Sequence, residues 1–588
     1  MEKQKAMNNM QLAKGKGHYS SRLKSFFIGV LIAVSSQVSA QIDTLTSNYT
    51  FTGDLELKLR DANKLPVNAQ LYEDSVKMMK IQYSLLPTRK NFNIEVKPIT
   101  PAKINFEDKL QKLYRGYIKA GYGLWFTPLV DMYYTDGRSR KGAFGFSYNH
   151  LSSAGGVAVD DSIPDHFSDN RFDFWGKYFF KKTAFGGGVN WERNLTNWYG
   201  FNPELIDSAG ISLPGLKQRL NTLGGNLTYH TYGRDSVGMN YKAEIAIRNT
   251  SDFLSGKETN VDLNVGVSEL VETELYKVQF GVNYNQFLNF EPALFDTMEH
   301  TEDNAIIKLV PTAFTVWNDL RVTAGLGFYL QARGEVPLHF YPIAELRYNI
   351  LKGLLVPYAG VRGSLNQTTY LGLYRENPFI VNYPDLVNVN NKLELYGGIS
   401  GSASASSSFN AGVNHTQYEN FNYFINDSVW RPGNQMQVVY DNLTALNLYG
   451  EFSLKAPEKW TAYLRGDYFM YSDFGNQEHP WHQPNLKITA TAEYNLKDKF
   501  ILQTEIIYVG ERWAKSLFPV EGITPLADGS TQFKLDGFVD ANFKIEYRYN
   551  KRLSGWVLLN NIATVKYQRW SGYRVQRPGA LLGITYAF

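Results

Sequence analysis

The sequence of 588 residues contains no cysteine. This absence excludes disulfides, thiolate metal sites and cysteine nucleophiles together, and it is compatible with an exported protein that does not need oxidative folding. Neither sign of charge dominates, because 60 Lys and Arg stand against 56 Asp and Glu, which gives a formal net charge of +4. A nucleic-acid partner therefore has no support from the composition.

Long apolar runs and catalytic motifs are also missing. No stretch approaches the roughly 20 apolar residues that a helix needs to span a membrane. No G-x-S-x-G, H-E-x-x-H or P-loop pattern occurs. Some outer-membrane barrels are enzymes with a Ser/His pair on the outside of the wall. The residues 404–408 (SASSS) and the downstream His415 could be compared with such a pair, but small residues of this kind are typical of a turn. We therefore predict that the protein is not an enzyme and has no cofactor.

Aromatic residues and glycine are abundant instead. The chain has 39 Tyr, 36 Phe and 49 Gly, and aromatic residues make up 15% of it. Tyr and Phe favour β-strands and also concentrate at membrane interfaces. The composition therefore indicates β structure with rings at an interface.

The first 40 residues have the pattern of a secretory signal peptide. A basic region that includes Lys14 and Arg22 precedes the apolar run 26–34 (FFIGVLIAV), and 38–40 (VSA) is a small-residue cleavage site. We expect cleavage between Ala40 and Gln41. Residues 41–115 then form a predicted lead-in segment, mostly extended, because Pro87, Pro98 and Pro101 interrupt any central strand.

From residue 116 onwards, apolar and polar residues alternate with the period of a β-strand. Tyr241, Ala243, Ile245 and Ile247, for example, alternate with charged residues. In a soluble sandwich the apolar face would be the buried one, whereas in a membrane barrel it would face lipid and the charges would face a wet lumen. The residues predicted to face the lumen are Lys242, Glu244, Arg248, Arg465, Asp467, Glu505, Asp540, Lys544, Glu546 and Arg548.

Three features favour the membrane barrel over the sandwich. Many alternating segments run well beyond the usual five or six residues of a strand. Connections alternate between short ones, such as 351–353 (LKG), and long polar ones, such as 371–391, as in bacterial barrels. Aromatic residues also crowd the segment ends, where they predict interface girdles; these are Trp125, Phe126, Trp191, Trp198, Tyr199, Trp460, Trp513, Trp556 and Trp570.

We therefore predict an all-β protein, a transmembrane antiparallel barrel of about 22 strands (range about 20–24) over residues 116–588. Leu582, Ile584, Tyr586 and Phe588 form one face of the closing strand. An even number of strands places the N-terminal lead-in and the C-terminus of the chain on one side of the membrane. We expect that side to be the periplasmic one, in the outer membrane of a Gram-negative cell, with the apolar face against lipid and lipopolysaccharide.

The C-terminal segment resembles that of TonB-dependent outer-membrane transporters, in particular LNNI at 559–562 followed by KY at 566–567. The stretches 112–123 and 150–156 carry the likeness to plugless relatives of these receptors. The resemblance implies insertion by the barrel-assembly machinery, with Phe588 as part of the insertion signal. It also implies a role as an accessory subunit of a larger outer-membrane complex, possibly that machinery itself, because the lead-in is shorter than a plug domain.

Three polar clusters contain residue types that bind metals, but none has the spacing of a known metal site. We therefore predict no metal. The clusters are Asp160, Asp161, Asp165, His166 and Asp169; His479 and His482; and Glu299, His300, Glu302 and Asp303.

The predicted lumen charges have mixed sign, whereas a selective channel usually shows one sign. A barrel of this width would also leave a large hole in the membrane. We therefore expect the lead-in or folded outer loops to occlude the lumen. Two functions stay open: a subunit with outer-membrane or periplasmic protein partners, or a transporter or channel for a solute.

Overall fold

The structure is a computed structural model that describes residues 114–588 apart from 137–140, 158–163, 201–216, 233–237, 293–296, 352, 428–433, 457–458, 518–525, 527–528 and 565. The predicted cleavage residues Ala40 and Gln41, and the lead-in up to residue 113, lie outside the described residues. Within the described part, the alternating sequence forms a long series of antiparallel strands and one short helix.

The strands are β1 (Gly116–Gly123), β2 (Thr127–Thr135), β3 (Gly142–Ser153), β4 (Phe167–Phe179), β5 (Thr183–Asn197), β6 (Lys217–Thr231), β7 (Asn240–Ser251), β8 (Lys257–Val271), β9 (Glu274–Pro292), β10 (Thr297–Trp317), β11 (Leu320–Gln331), β12 (Leu338–Tyr348), β13 (Val356–Asn366), β14 (Val389–Ser404), β15 (Ser407–Asn426), β16 (Met436–Ala456), β17 (Trp460–Ser472), β18 (Leu486–Leu496), β19 (Phe500–Val509), β20 (Arg512–Ser516), β21 (Thr531–Leu535), β22 (Phe538–Arg548), β23 (Leu553–Asn560), β24 (Gln568–Trp570), β25 (Tyr573–Arg574) and β26 (Gly579–Ala587). The helix, α1, is Tyr370–Glu376.

The sheet closes on itself through its first and last strands. β26 pairs with β23 on one side and with β1 on the other, with Ile118 opposite Tyr586 and Ala120 opposite Ile584. The amide of Arg115 donates to the carbonyl of Phe588 at 2.7 Å. The predicted closed antiparallel barrel of 22 strands is confirmed. The hairpins β20–β21 and β24–β25 are additions that lie in connections between wall strands.

The two ends of the barrel differ in their connections. One end, here called the turn end, carries short links such as 272–273 and 405–406, together with Gly116 and Phe588. The other end, the loop end, carries the long connections 367–388 and 510–537. The predicted alternation of short and long connections therefore sorts them onto opposite ends.

No helix in the described part of the chain is long and apolar enough to cross a membrane.

Apolar side chains cover the outside of the wall. In the closing strand, Leu582 and Ile584 are 62% and 59% exposed in the isolated chain, while Leu581 on the inner face is buried. On β7, Tyr241, Ile245 and Ile247 are likewise exposed. This outward apolar belt, repeated on successive strands, is the surface that lipid covers in a membrane barrel.

Rings cluster on the outside at the turn end, as an interface girdle requires. The exposed ones are Tyr178, Phe180, Tyr232, Trp317, Tyr348, Trp460, Phe500, Tyr547, Tyr549, Tyr586 and Phe588. Four predicted girdle residues are wrong: Trp198, Tyr199 and Trp570 pack in a core at the loop end, and Trp556 points into the lumen. Their position at strand ends could not distinguish an outward ring from an inward one.

Trp556 fills the inner side of the closing seam. Its indole lies against the backbone of Gly121 on β1 and Gly583 on β26, where a Cβ would collide with the ring. The ammonium group of Lys119 lies 4.7 Å from the centre of the indole ring. The two glycines therefore provide the space in which one large ring bridges three adjacent strands.

The outward orientation of Ile245 and the inward orientation of its neighbour Ala246 give a matched test of the lipid face. Ile245 lies near the middle of β7, so Ile245→Arg places a charge in hydrocarbon and should destabilise the barrel by about 2–4 kcal/mol. Ala246 lies opposite Asp262 across the β7–β8 pair, so Ala246→Arg should cost less than about 1 kcal/mol. Urea unfolding in phospholipid vesicles measures both. Equal losses for the two variants would contradict the assigned faces.

Candidate functional site

The ten residues predicted to face the lumen occupy the strand positions that alternate with the exposed apolar ones. They lie on four wall strands, β7, β17, β19 and β22. Most are paired with an opposite charge nearby: Arg465 lies 2.8 Å from Asp467, and Lys544 lies 3.0 Å from Glu546. The wall charges therefore largely neutralise each other, as expected for a wet surface without strong selectivity.

The remaining members of that set pair with an opposite charge or accept from a neutral side chain. Lys242 lies 3.7 Å from Glu244, and Arg248 pairs with Asp262 across to β8. Arg548 lies 3.9 Å from Glu546. Glu505 accepts from the Asn542 amide at 3.4 Å, and Asp540 accepts from the Tyr567 hydroxyl at 2.9 Å.

The connection 367–388, here called the cap, folds inward at the loop end. Its helix α1 buries four of its seven residues, Tyr370, Leu371, Leu373 and Tyr374. The helix begins after Thr369, whose hydroxyl accepts from the Gly372 amide at 3.0 Å, a typical N-cap bond. A short helix buried this completely is stabilised by its surroundings rather than by its own propensity.

The wall holds the start of the helix through a buried carboxylate. Glu258 of β8 accepts from the amides of Tyr370 and Leu371 at 2.6 and 2.9 Å. The Asn285 side chain donates to the same carboxylate at 3.1 Å. These bonds satisfy amide groups that an isolated helix leaves unpaired, and the negative charge complements the positive end of the helix dipole.

The cap also reaches two opposite sides of the wall. Arg375 pairs with Glu192 of β5 at 2.5 Å. Phe379 accepts at its carbonyl from the amide of Met436, the first residue of β16, at 2.9 Å. β5 and β16 stand half a circumference apart in a barrel of 22 strands. The cap therefore bridges the opening of the barrel at the loop end, here called the mouth.

An aromatic core fixes the cap to the neighbouring loops. The rings of Phe379 and Tyr573 stack with centres 3.5 Å apart, and Tyr199 packs edge-on against Tyr573 at 5.1 Å. Trp198 and Trp570 are buried in the same cluster. Burial raises the pKa of Tyr573 well above its ordinary value. Loops from distant parts of the chain thus share one dry core at the mouth.

A second anchor is His482, in the connection between β17 and β18. Its Nδ1 lies 2.9 Å from the Phe424 carbonyl, and its Nε2 lies 3.1 Å from the Ser571 amide. The carbonyl can only accept and the amide can only donate, so the ring is neutral with its proton on Nδ1. Burial, reinforced by the nearby Arg512 guanidinium, lowers the pKa of His482 to about 3.

The three polar clusters weighed as metal sites do not come together. His479 stacks on Trp513 with ring centres 4.0 Å apart, away from the bonds that hold His482. Asp165 accepts from the Val157 amide, Asp169 accepts from Asn194, and His166 contributes its carbonyl to Asn197. Asp160 and Asp161 lie outside the described residues. Among the described residues, no group of three or more His, Asp or Glu could hold a metal ion.

The third cluster is divided between the two faces of β10. Glu302 is buried and pairs with Arg333, and His300 lies 3.2 Å from it. Asp303, on the opposite face, accepts from the Tyr284 hydroxyl at 2.7 Å.

The Ser/His comparison also fails on geometry. Ser404 and Ser407 form the turn between β14 and β15, with their hydroxyl oxygens 2.8 Å apart. His415 lies eight residues further along β15, opposite Leu395 and Leu446 on the outward face. The serine hydroxyls are therefore at the turn end and the imidazole is on the outer wall, so they cannot act together.

The cap helix is the main feature that the sequence does not predict, because the composition of 371–391 is that of a long polar loop. A local signal existed: Thr369 precedes apolar residues at 370, 371, 373 and 374, which is an N-cap followed by a helical pattern. No local signal identifies Glu258 or Glu192 as the partners of this helix, since they lie more than a hundred residues away along the chain.

Comparisons with known proteins agree with this fold. No protein-family model matches the sequence, and no curated protein does. Among solved structures, the outer-membrane receptor FpvA of Pseudomonas aeruginosa bound to pyoverdine superposes with a TM-score of 0.60 at 12% identity, over 81% of this chain and 79% of that one. The iron transporter FrpB of Neisseria meningitidis gives 0.61 at 11% identity, over 82% and 83%.

The siderophore receptor PirA of Acinetobacter baumannii is similar to the same degree, with a TM-score of 0.59 at 9% identity over 82% and 81%. These neighbours are TonB-dependent receptors, so the predicted resemblance is confirmed for the fold. They are receptors and transporters rather than enzymes. The chain thus has the fold of an outer-membrane receptor barrel; the missing plug stays a prediction.

The buried neutral His482 makes the stability of the loop end depend on pH. Its pKa is about 3 in the folded chain and about 6.5 when unfolded. The unfolded chain therefore binds the extra proton between these values, so this stability is full above pH 6.5 and decreases as the pH falls. The loss should reach about 2 kcal/mol at pH 5, measured by chemical unfolding in detergent at pH 7.5 and pH 5.

The pH effect should be specific to the buried imidazole. His482→Gln removes the titrating group, so its stability should change less with pH than that of the wild type. The control His166→Gln keeps the backbone carbonyl that accepts from the Asn197 side chain, and it tests whether the loss of another loop-end histidine changes the slope. Identical slopes for all three proteins would show that His482 is not the cause.

The cap should close the pore. Asn366 and Val389 are paired at its base, so a four-residue Gly-Ser linker can replace residues 367–388 without parting β13 from β14. In planar bilayers we expect no large, steady openings from the wild type and large, steady openings from the variant. Replacing the loop-end connection 332–337 with the same linker is the control and should leave the pore closed. Steady wild-type openings would contradict closure by the cap.

Proposed function

We propose that this protein is a non-enzymatic outer-membrane barrel that acts as a structural or accessory subunit of a larger outer-membrane protein complex, for which the barrel-assembly machinery is a candidate. The observation that carries this proposal is the cap, bonded to Glu192 on one wall and Met436 on the other. A barrel bridged in this way is stiff. Its surfaces can bind partners, whereas the bridged mouth hinders the passage of solutes.

The remaining parts of the chain have corresponding roles in this proposal. Residues 1–40 direct export and are removed between Ala40 and Gln41. The lead-in 41–115 docks a periplasmic or outer-membrane partner through extended contacts, which suit a segment interrupted by proline. The outward faces of Leu582, Ile584 and Tyr586 contact lipid, and Phe588 helps the barrel-assembly machinery to recognise and insert the closing strand. Both chain termini then lie on the periplasmic side, and lipopolysaccharide contacts the outer-leaflet half of the belt.

A transporter or channel is the second candidate. It is favoured by the solved structures that share the fold, one of which is an iron transporter and another a siderophore receptor. For this chain, transport would require the cap to leave the mouth, which breaks the contacts of α1 with Glu258 and Glu192. The ten lumen-facing charges would then line the passage.

Purification from the native membrane separates the two functions. An affinity tag inserted between β20 and β21 should recover partners in fixed stoichiometry from outer membranes dissolved in mild detergent. Deleting residues 84–101 should reduce the partner yield at least about fivefold if the lead-in supplies a binding energy of about 1 kcal/mol or more. A barrel that is recovered alone and that takes up a solute when reconstituted would contradict the subunit function.

Heat-modifiable mobility on gels provides the control for the deletion. The shortened protein should retain the compact barrel, since residues 84–101 precede the first wall strand at Gly116. If the deletion removes both the partners and the folded barrel, the test is repeated with a smaller change in the lead-in, the double substitution Pro98→Ala and Pro101→Ala.

A further inference from the structure

A group of three polar side chains lies on the outer face of the wall near the loop end. His150 and Ser152 are two residues apart on β3, so their side chains share one face of the strand. Asn170 of β4 is the register partner of His150. This face is the outward one, because Phe172 and Phe174, which follow Asn170 on the same face of β4, are exposed and apolar. The three residues, here called the outer-wall triad, are therefore separate from the lumen and the cap.

Two hydrogen bonds join the triad in a fixed order. His150 Nδ1 lies 2.8 Å from Asn170 Oδ1, and His150 Nε2 lies 3.1 Å from Ser152 Oγ. The amide oxygen can only accept, so the imidazole proton is on Nδ1 and Nε2 accepts from the serine hydroxyl. In this order of contacts, a histidine can remove the proton of a serine nucleophile while a third group orients the ring.

Neighbouring hydroxyls hold the Asn170 side chain in place. Its Nδ2 donates to the Ser168 hydroxyl at 3.2 Å, and its Oδ1 accepts from the Tyr148 hydroxyl at 3.2 Å. Asn170 therefore acts as a positioning residue for the imidazole.

The triad lies where the apolar belt ends. Towards the turn end, the next outward row carries rings, since Tyr148 pairs with Phe172 and Phe172 pairs with Trp191. The β1–β2 link, which bonds to the end of β3, exposes Leu124 and Phe126. An acyl chain thus has an apolar surface directly beside the serine.

A cation lies next to the triad on the same outward row. Arg193 of β5 is the register partner of Asn170, and it belongs to no ion pair among the residues that the structure describes. A guanidinium group binds a phosphate through two parallel hydrogen bonds. In a glycerophospholipid the phosphate and the acyl esters are attached to one glycerol unit. The row therefore provides a serine for the ester and a cation for the headgroup.

We propose that the outer-wall triad hydrolyses a fatty-acyl ester of a phosphate-bearing membrane lipid. His150 takes the hydroxyl proton of Ser152 as Oγ attacks the ester carbonyl carbon, and it gives that proton to the lipid oxygen that leaves. The acyl group is then bound to Ser152. A water molecule, deprotonated by His150, attacks this acyl ester, releases the fatty acid and restores the serine hydroxyl. The net reaction converts lipid ester and water to fatty acid and deacylated lipid.

The position of the triad in the outer leaflet rests on the proposed function, in which both termini are periplasmic and the loop end is therefore outside. The subunit role itself needs no catalysis. The triad adds to the barrel an activity that is separate from the cap and the lead-in.

A fluorophosphonate probe, which reacts with activated serine hydroxyls, tests the nucleophile. We expect the full-length barrel in nonionic detergent to be labelled, and we expect Ser152→Ala and His150→Gln to lose the label. The matched control Ser404→Ala removes a hydroxyl at the turn end and should keep the wild-type labelling. Heat-modifiable mobility on gels should show that every variant keeps the barrel.

Release of fatty acid from mixed micelles tests the reaction, with a glycerophospholipid and lipopolysaccharide as alternative sources of the ester. Ser152→Ala should lower kcat at least about 1000-fold. Asn170→Ala should lower kcat with KM unchanged, because it releases the ring without touching the lipid. Arg193→Gln should instead raise KM at least about fivefold, because it removes a contact to the phosphate.

An unlabelled wild type, equal labelling of the wild type and Ser152→Ala, or no fatty acid from either lipid would overturn the proposed hydrolysis. Co-purification of partners tests the subunit function independently, so the two can fail separately.

Discussion

Closure of the sheet is the constraint on which the rest of the structure depends. In hydrocarbon each unpaired backbone group costs several kcal/mol, so the wall cannot end in a free edge. The bonds between β26 and β1 remove the last edge and hold Phe588 beside Arg115 and Gly116. Once the sheet is closed, every wall strand has one face in the belt and one in the lumen, which explains why polarity alternates along the chain.

Closing 22 strands creates a second requirement, because side chains of so wide a wall cannot fill the lumen by themselves. The chain meets it with loops at one end. The strands that support the cap are tall, with 21 residues in β10 and β16, whereas β1 and β23 at the seam have eight each. Asn304 on β10 exchanges amide bonds with Asn388 of the cap, and Met436 on β16 bonds to Phe379. The extra strand length therefore carries the groups that position the cap.

The wall was predictable from sequence because its signals are local. The strand period and the presence of lipid on one side are enough to explain why Tyr241 alternates with Lys242. The same two facts explain the alternation in the closing strand. The cap was not predictable in this way. Its helix is seven residues long and depends on Glu258 and Glu192, whose relevance appears only when the barrel brings β5 and β8 to the same mouth. Trp198 and Trp570 show the same limit, since a ring at a strand end can face lipid or pack inwards against a loop.

The burial of apolar side chains in the cap opposes spontaneous opening of the barrel mouth. Seven apolar side chains of the cap belong to the mouth core: Tyr370, Leu371, Leu373, Tyr374, Phe379, Ile380 and Leu386. Opening the mouth would return their apolar surface to water, which is unfavourable. An opened mouth would therefore need an external source of energy or a ligand that binds the open form tightly, whereas a subunit that presents its surfaces to partners needs neither.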